Sequence, residues 1–323
     1  MTEYISDHYL SRETTVSVNG LFIIIVFFSH IQSYIALPSV VHAITSGMGQ
    51  LMVAMFLFYS GFGVGYSVHK KGMAYVHSMP AKRMGKVLAG FVPAVFIYAV
   101  LDLVCGIPFT GKQFLFSLVG WESLGNSNWY IFVILCLYLI TWLACEISGR
   151  CRTGPKREIC SFCVLCFMWI LLFFFLHATK ESWWYNTMSA YLLGYFVSLT
   201  KEKWDAVLSI RGIWLAAIIL SLTAVILLRP LSRHASLYLV MTVMFCILVL
   251  CLTKKVPVCH PVLYWLGNHL FEIYILMRIP MILLLYIPVP WMREPLVYTG
   301  TSLVVTLVLA RFYHEFLASR LAR

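Results

Sequence analysis

The chain reads as an all-α, polytopic helical membrane protein of about ten transmembrane helices with both termini in the cytoplasm. Three observations predict this. Of 323 residues, 61% are hydrophobic and only 11% charged, against about 25% charged in a soluble domain. Apolar runs of about 20 residues, the length that crosses the hydrocarbon core, recur from end to end. Lys and Arg concentrate in alternate loops. No polar segment is long enough for a soluble domain, so residues 1–323 read as a single transmembrane domain.

Residues 1–18 are polar, and the apolar run from Leu21 reaches Pro38 without a small-residue cleavage site. The first run is therefore expected to be a retained span, not a removable signal. Spans follow at 20–38, 49–68, 87–105, 129–147, 159–177, 186–200, 211–229, 235–253, 263–287 and 296–316. The sixth is short and interrupted by Gly194. With ten spans, the side of the termini holds Arg12, Lys70, Lys71, Lys82, Arg83, Lys86, Arg150, Arg152, Lys156, Arg157, Lys201, Lys203, Arg211, Lys254, Lys255, Arg320 and Arg323. The opposite side holds Lys112, Lys180, Arg229, Arg233 and Arg293, while Arg278 and Arg311 fall within spans. A split of 17 to 5 puts the termini inside. It also accounts for the net charge of +11 without a nucleic-acid partner. Basic cytoplasmic loops attract anionic membrane lipids and phosphorylated cofactors alike. The ten cysteines lie mostly in or beside apolar runs. They read as small hydrophobes, not as a disulfide framework.

Ionisable groups inside spans are costly and mark candidate sites. His30 lies about 16 Å beyond Asn19 at 1.5 Å per residue, near the middle of a core about 30 Å thick. A neutral imidazole there can take a proton from a hydroxyl or attack a thioester. It can equally pack between helices and bond a backbone carbonyl. The ninth span adds His269, Glu272, Tyr274 and Arg278. His269 and Glu272 share a helix face at a spacing of three, whereas Glu272 and Arg278 do not. The plain reading of these groups is a set of ties between helices. No His/Asp/Glu set has metal-ligand spacing, so no metal is expected. Before the third span, Arg83 and Lys86 are one turn apart beside Lys82, which suits either membrane anchoring or a phosphate clamp. Trp129 and Tyr130 open the fourth span, and Trp183, Trp184 and Tyr185 read the same way, as interfacial anchors or sugar-stacking rings.

Taken together these segments resemble the membrane acyltransferase-3 family, bacterial proteins that O-acylate extracytoplasmic glycans. Gly20 through His30 fit the family's first-span segment, in which a basic residue and ten others precede a histidine. Phe56-Leu57-Phe58-Tyr59-Ser60-Gly61-Phe62 resembles its aromatic stretch ending in Ser-Gly-Phe. Arg83 and Lys86 fit its paired basic positions, Trp129-Tyr130 with Tyr138 its fourth-span signature, and Leu266-Gly267 through Tyr274 its late pattern. The chain departs at Asn19, where the family has the basic residue, and at Met277 and Arg278, where many relatives place a second histidine.

The resemblance implies an O-acyltransferase of the bacterial cytoplasmic membrane with no tightly bound cofactor. Acetyl-CoA or another acyl-CoA would be the co-substrate, and a glycan or other hydroxyl the acceptor. Lys82, Arg83 and Lys86 would hold the donor phosphates and His30 would be catalytic. Ser60 or Arg278 would steady the oxyanion. Two other readings stay open: a transporter or flippase for a lipid-linked sugar or small solute, and a non-catalytic scaffold or sensor, which Asn19 keeps in play.

Overall fold

The computed structural model describes residues 8–45, 47–151 and 155–321; Arg152 and Arg323 of the charge pattern lie outside them. Among the described residues the chain is helical, without a strand. The helices are α1 (Arg12–Ile31), α2 (Ser39–Thr45), α3 (Met48–Lys71), α4 (Met73–Met79), α5 (Lys86–Cys105) and α6 (Gly111–Ser117). There follow α7 (Trp129–Cys151), α8 (Pro155–Thr179), α9 (Ser189–Leu199), α10 (Lys201–Ser209), α11 (Arg211–Leu228) and α12 (Ala235–Lys255). The chain continues through α13 (Pro261–Asn268), α14 (Leu270–Leu276), α15 (Arg278–Tyr286) and α16 (Pro295–Leu321).

Eight of these helices or continuous runs are long and apolar enough to cross a bilayer, making this a multi-pass membrane protein. The expected ninth span is a bent pair, Pro261–Asn268 and Leu270–Tyr286, at 61°. The expected sixth is only the 11-residue α9, about 16 Å at 1.5 Å per residue. Burial separates central from peripheral spans. Of the best apolar window, 67% is buried in Met48–Lys71 but 11% in Arg211–Leu231. An apolar helix that exposes nearly all its surface is one that faces lipid.

The first helix does not follow its apolar run. It starts at Arg12, where the Ser11 hydroxyl accepts the Thr14 N–H at 3.3 Å in an N-cap, and ends at Ile31. Backbone hydrogen bonding does not require apolar residues, so the polar stretch is helical as well. His30 is consequently the penultimate residue of a 20-residue helix. It does not lie at mid-helix, as the hydropathy placed it.

Two compact units are distinguishable. In the unit of residues 1–15, 53–85 and 133–259, α3 and α9 cross with their backbones in contact. A Cβ on Gly61 would lie 2.1 Å from the Tyr191 carbonyl oxygen, and one on Gly194 2.0 Å from that of Phe58. At its polar edge Lys254, 1% exposed, meets Asp205 Oδ1 at 3.1 Å, and Lys201 meets Oδ2 at 2.5 Å. Burial opposes ionisation of Asp205, but the hydrogen bonds from Lys201 and Lys254 outweigh it and hold the carboxyl below its ordinary range.

In the unit of residues 16–52, 86–132 and 260–323, the same device joins α1 to α13. A Cβ on Gly20 would lie 1.9 Å from the Leu263 carbonyl oxygen, and one on Gly267 1.9 Å from that of Val16. Between α13 and α14 the His269 ring stacks on Trp265 at 4.1 Å, and its Nδ1 donates to the Trp265 carbonyl at 2.8 Å. A side chain that takes a ladder carbonyl is a sufficient cause of the bend. The next break, at Met277, precedes Pro280 by three residues. Proline lacks an N–H, and its ring clashes with the carbonyl of residue i−4, here Leu276.

Gly20→Val forces a side chain into a backbone carbonyl and is expected to cost about 3 kcal/mol, read as a lowered melting temperature in detergent. Gly212→Val, with no atom within 4 Å of the new Cβ, serves as the control. Asp205→Asn leaves Lys254 buried without its counter-charge and is expected to cost about 3 kcal/mol at neutral pH. Because the native Asp205 pKa is lowered, the wild-type contribution is complete above the unfolded value of about 4 and fades as pH falls below it. Melting curves at pH 7 and pH 3 should therefore converge for wild type and variant at the acid end.

Candidate active site

Arg278, the first residue of α15, meets the end of α1. Its Nη2 donates to His30 Nδ1 at 2.8 Å, and its Nη1 donates to the Gly125 carbonyl at 3.4 Å. Tyr34 also hydrogen-bonds the guanidinium. No carboxylate pairs with Arg278 among the described residues, and its Nε is buried without a partner. A guanidinium has donors only. His30 Nδ1 must therefore accept, which puts the proton of a neutral ring on Nε2. In this arrangement His30 is a hydrogen-bond donor whose basic lone pair is covered.

Aromatic rings close in on the imidazole. Tyr274 stands edge-on to His30 at 6.4 Å between centroids, Tyr130 meets Tyr274 at 5.4 Å, and Trp129 meets Tyr130 at 6.3 Å. The Tyr274 hydroxyl is buried and unpartnered. The turn carrying Gly125 is held by Asn128, whose side-chain amide donates to the Gly120 and Glu122 carbonyls at 2.9 and 2.8 Å. Just past His30 a cavity of about 600 Å³ is lined by Gln32, Ser33, Tyr34, Ser39 and His42, among others. Tyr34 joins this cavity to the guanidinium.

The remaining sequence-predicted residues lie elsewhere. Glu272 Oε1 bonds His314 Nδ1 at 2.8 Å, and the His314 ring packs on His269 at 4.6 Å. The Glu272 Oε2 is buried and unpartnered. Glu272 and His314 border a cavity of about 310 Å³ with Lys86 and Phe271. Asn19 is half-buried, and its Oδ1 lacks a partner. Ser60 is a half-buried residue of α3.

Arg83 lies in a π-helical turn and Lys86 opens α5, so the α spacing assumed for the pair does not apply between them. Pro80–Gly85 is a π-helical turn, with i→i+5 bonds where the expectation assumed α geometry. Arg83 Nε donates to the Tyr75 hydroxyl at 2.9 Å, and its guanidinium lies 6.0 Å from the Tyr138 ring. Lys86 lines the Glu272 cavity instead, and Lys82 is exposed. Sequence reasoning missed Tyr34 and Gly125 as neighbours of the site, whereas Asn128 belongs to the Asn128-Trp129-Tyr130 stretch that opens the fourth span.

A family model described as an acyltransferase domain, that of acyltransferase-3, matches residues 18–312. The comparisons with curated proteins and with solved structures give no match.

The donor logic at His30 has a spectroscopic consequence. In protein labelled with ¹⁵N-histidine, the neutral His30 ring is expected in the Nε2–H form, with Nδ1 at the shift of an unprotonated nitrogen. Arg278→Met removes the donor and should give a mixture of tautomers. An unchanged spectrum would contradict the assigned contact.

Proposed function

The chain belongs to this acyltransferase family, and from that premise we propose that it moves an acyl group, acetyl in the simplest case, from cytoplasmic acyl-CoA to a hydroxyl of an extracytoplasmic glycan. The observation that carries the reading is the His30–Arg278 contact, walled by tyrosines beside a cavity of mixed polar and apolar lining large enough for a sugar unit. The charge asymmetry of the loops supports both termini inside, and the family resemblance the bacterial cytoplasmic membrane. With that orientation the His30 end of α1 would face the outer side, where a glycan acceptor would be.

In the proposed reaction Arg278 leaves His30 Nδ1 for the thioester carbonyl oxygen as the acyl group arrives. The uncovered Nδ1 takes the proton of the acceptor hydroxyl while its oxygen attacks the carbonyl carbon. The guanidinium, with no carboxylate to quench it, steadies the oxyanion that forms. Collapse breaks the C–S bond, and the imidazolium returns its proton to the departing thiolate, giving an ester and free CoA. Tyr274 and Tyr130 shield the imidazole, and Trp129 offers a face for a sugar ring. Ser60 is the alternative oxyanion donor. Lys82, Arg83 and Lys86 attract the donor phosphates from the cytoplasmic side, Arg83 and Lys86 in separate surroundings.

Asn19 in the family's basic position favours the impaired-member reading and gives it a test. Transfer of labelled acetyl from acetyl-CoA to surface glycan, followed by mass spectrometry, is expected in wild type and lost by at least a hundredfold in His30→Ala. Asn19→Arg is expected to leave that activity present. Activity seen only in Asn19→Arg would favour the scaffold reading, and retained transfer in His30→Ala would remove the catalytic assignment.

A further inference from the structure

A second cavity, of about 420 Å³, opens at the other end of α1, lined by Ser11, Arg12, Tyr59, Phe62, Tyr66 and Lys201, among others. It lies within the first unit described. Three features distinguish it from an ordinary surface hollow. Its cations outnumber its anions: Arg12 is exposed and without an ion pair among the described residues, and Lys201 shares Asp205 with Lys254. Arg83 stands behind the wall, with its Nη2 3.8 Å from where a Cβ on the lining Gly63 would lie. Glu13, the acidic residue of the first turn, is exposed and not among the lining residues.

The cavity also has flat faces. Phe62 and Tyr66 are stacked at 16° with centroids 6.1 Å apart, and Lys70 lies 5.9 Å from the Tyr66 ring centroid. Tyr66 is 45% exposed, and a flat ligand would lie on it in place of the mobile Lys70 side chain. At the wall Tyr59 is 9% exposed and contributes its ring, while its hydroxyl is buried. Finally, α1 begins here, and although the Ser11 hydroxyl takes the Thr14 N–H, the start of a helix presents a partial positive charge to an anion.

We propose that this cavity binds the nucleotide end of the acyl-CoA donor. Phosphate lies on Arg12, Lys201 and the α1 N-terminus, and the adenine ring on Tyr66. The inference rests on the acyltransferase reading and deepens it, because it places the donor anchor on residues outside the Lys82, Arg83 and Lys86 group. The recognised chemistry is a phosphate ester joined to a flat ring. An anionic lipid headgroup shares the phosphate but lacks the ring.

The test is direct binding to the purified full-length protein in detergent. The probes are CoA, pantetheine (the same arm without the nucleotide) and phosphatidylglycerol. Arg12→Gln is expected to weaken CoA binding about tenfold, since a hydrogen bond to a charged group is lost. Tyr66→Ala should weaken it about threefold. Neither should change pantetheine binding, and Lys112→Gln, the same loss of charge on another loop, should leave all three probes unaffected. CoA affinity unchanged in both variants would overturn the proposal while leaving acyl transfer intact. Variants that lose phosphatidylglycerol but keep CoA would make the cavity a lipid site and overturn it too. A wild-type chain that binds no CoA would remove this inference and the acyl-CoA reading together. Melting temperatures of the variants, expected within a few degrees of wild type, separate lost binding from lost fold.

Discussion

The site at His30 depends on two backbones touching. Lipid tails are as apolar as a leucine side chain, so helices in a bilayer gain little by burying apolar surface against each other. They gain by close packing, which glycine permits. Gly20 and Gly267 each receive the other helix's carbonyl where a Cβ would be. That reciprocal contact fixes α1 against α13, and everything C-terminal to α13 inherits the geometry. Gly61 and Gly194 repeat the device for α3 and α9. This gives the 11-residue α9 a rigid place that its length alone would not.

From that fixed point two breaks carry the chain to the imidazole. His269 bends the ninth apolar segment by spending its Nδ1–H on the Trp265 carbonyl. Pro280 then ends the ladder behind Leu276 and leaves Arg278 at the start of a new helix. Neither residue touches His30. Their effect is positional: an unbroken helix would give Arg278 a different direction, and the 2.8 Å bond to Nδ1 would not form. Broken spans are tolerated in membranes when the freed backbone groups are covered by protein. Here Tyr298 ties the segment to α16, donating its hydroxyl to the Met281 carbonyl.

How much of this was legible in the sequence depended on what the signal measures. Hydropathy finds apolar surface, so it found the long spans and the acyltransferase-3 segments that lie in them. It cannot find helix that is not apolar, which is why the polar start of α1 was missed and His30 was placed at mid-helix. Spacing rules assume regular α geometry. They fail at Pro80–Gly85, where the π-helical turn gives Arg83 and Lys86 different partners. The polar residues of the ninth span were visible as anomalies, but their partners were not. Nothing in the sequence ties Arg278 to position 30 or to the Gly125 carbonyl, since those contacts span 248 and 153 residues.

The ninth segment also has to keep its own charges apart. Glu272 is its only carboxylate, six residues before Arg278, and were the two to pair, the guanidinium would be neutralised before any substrate arrived. The break at Met277 interrupts the helix between them, and His314 from α16 takes the carboxylate at 2.8 Å. An arginine beside an imidazole with no counter-ion is costly in a low-dielectric interior. It is tolerable here because Gly125, Tyr34 and His30 all accept from it. These are weak, neutral acceptors, and an oxyanion would compete with each of them successfully. The same charge separation that makes the resting site expensive leaves Arg278 able to move to developing negative charge. Asn19, eleven residues and about 16 Å along α1 from His30, is the eighth residue of that helix and far from the imidazole.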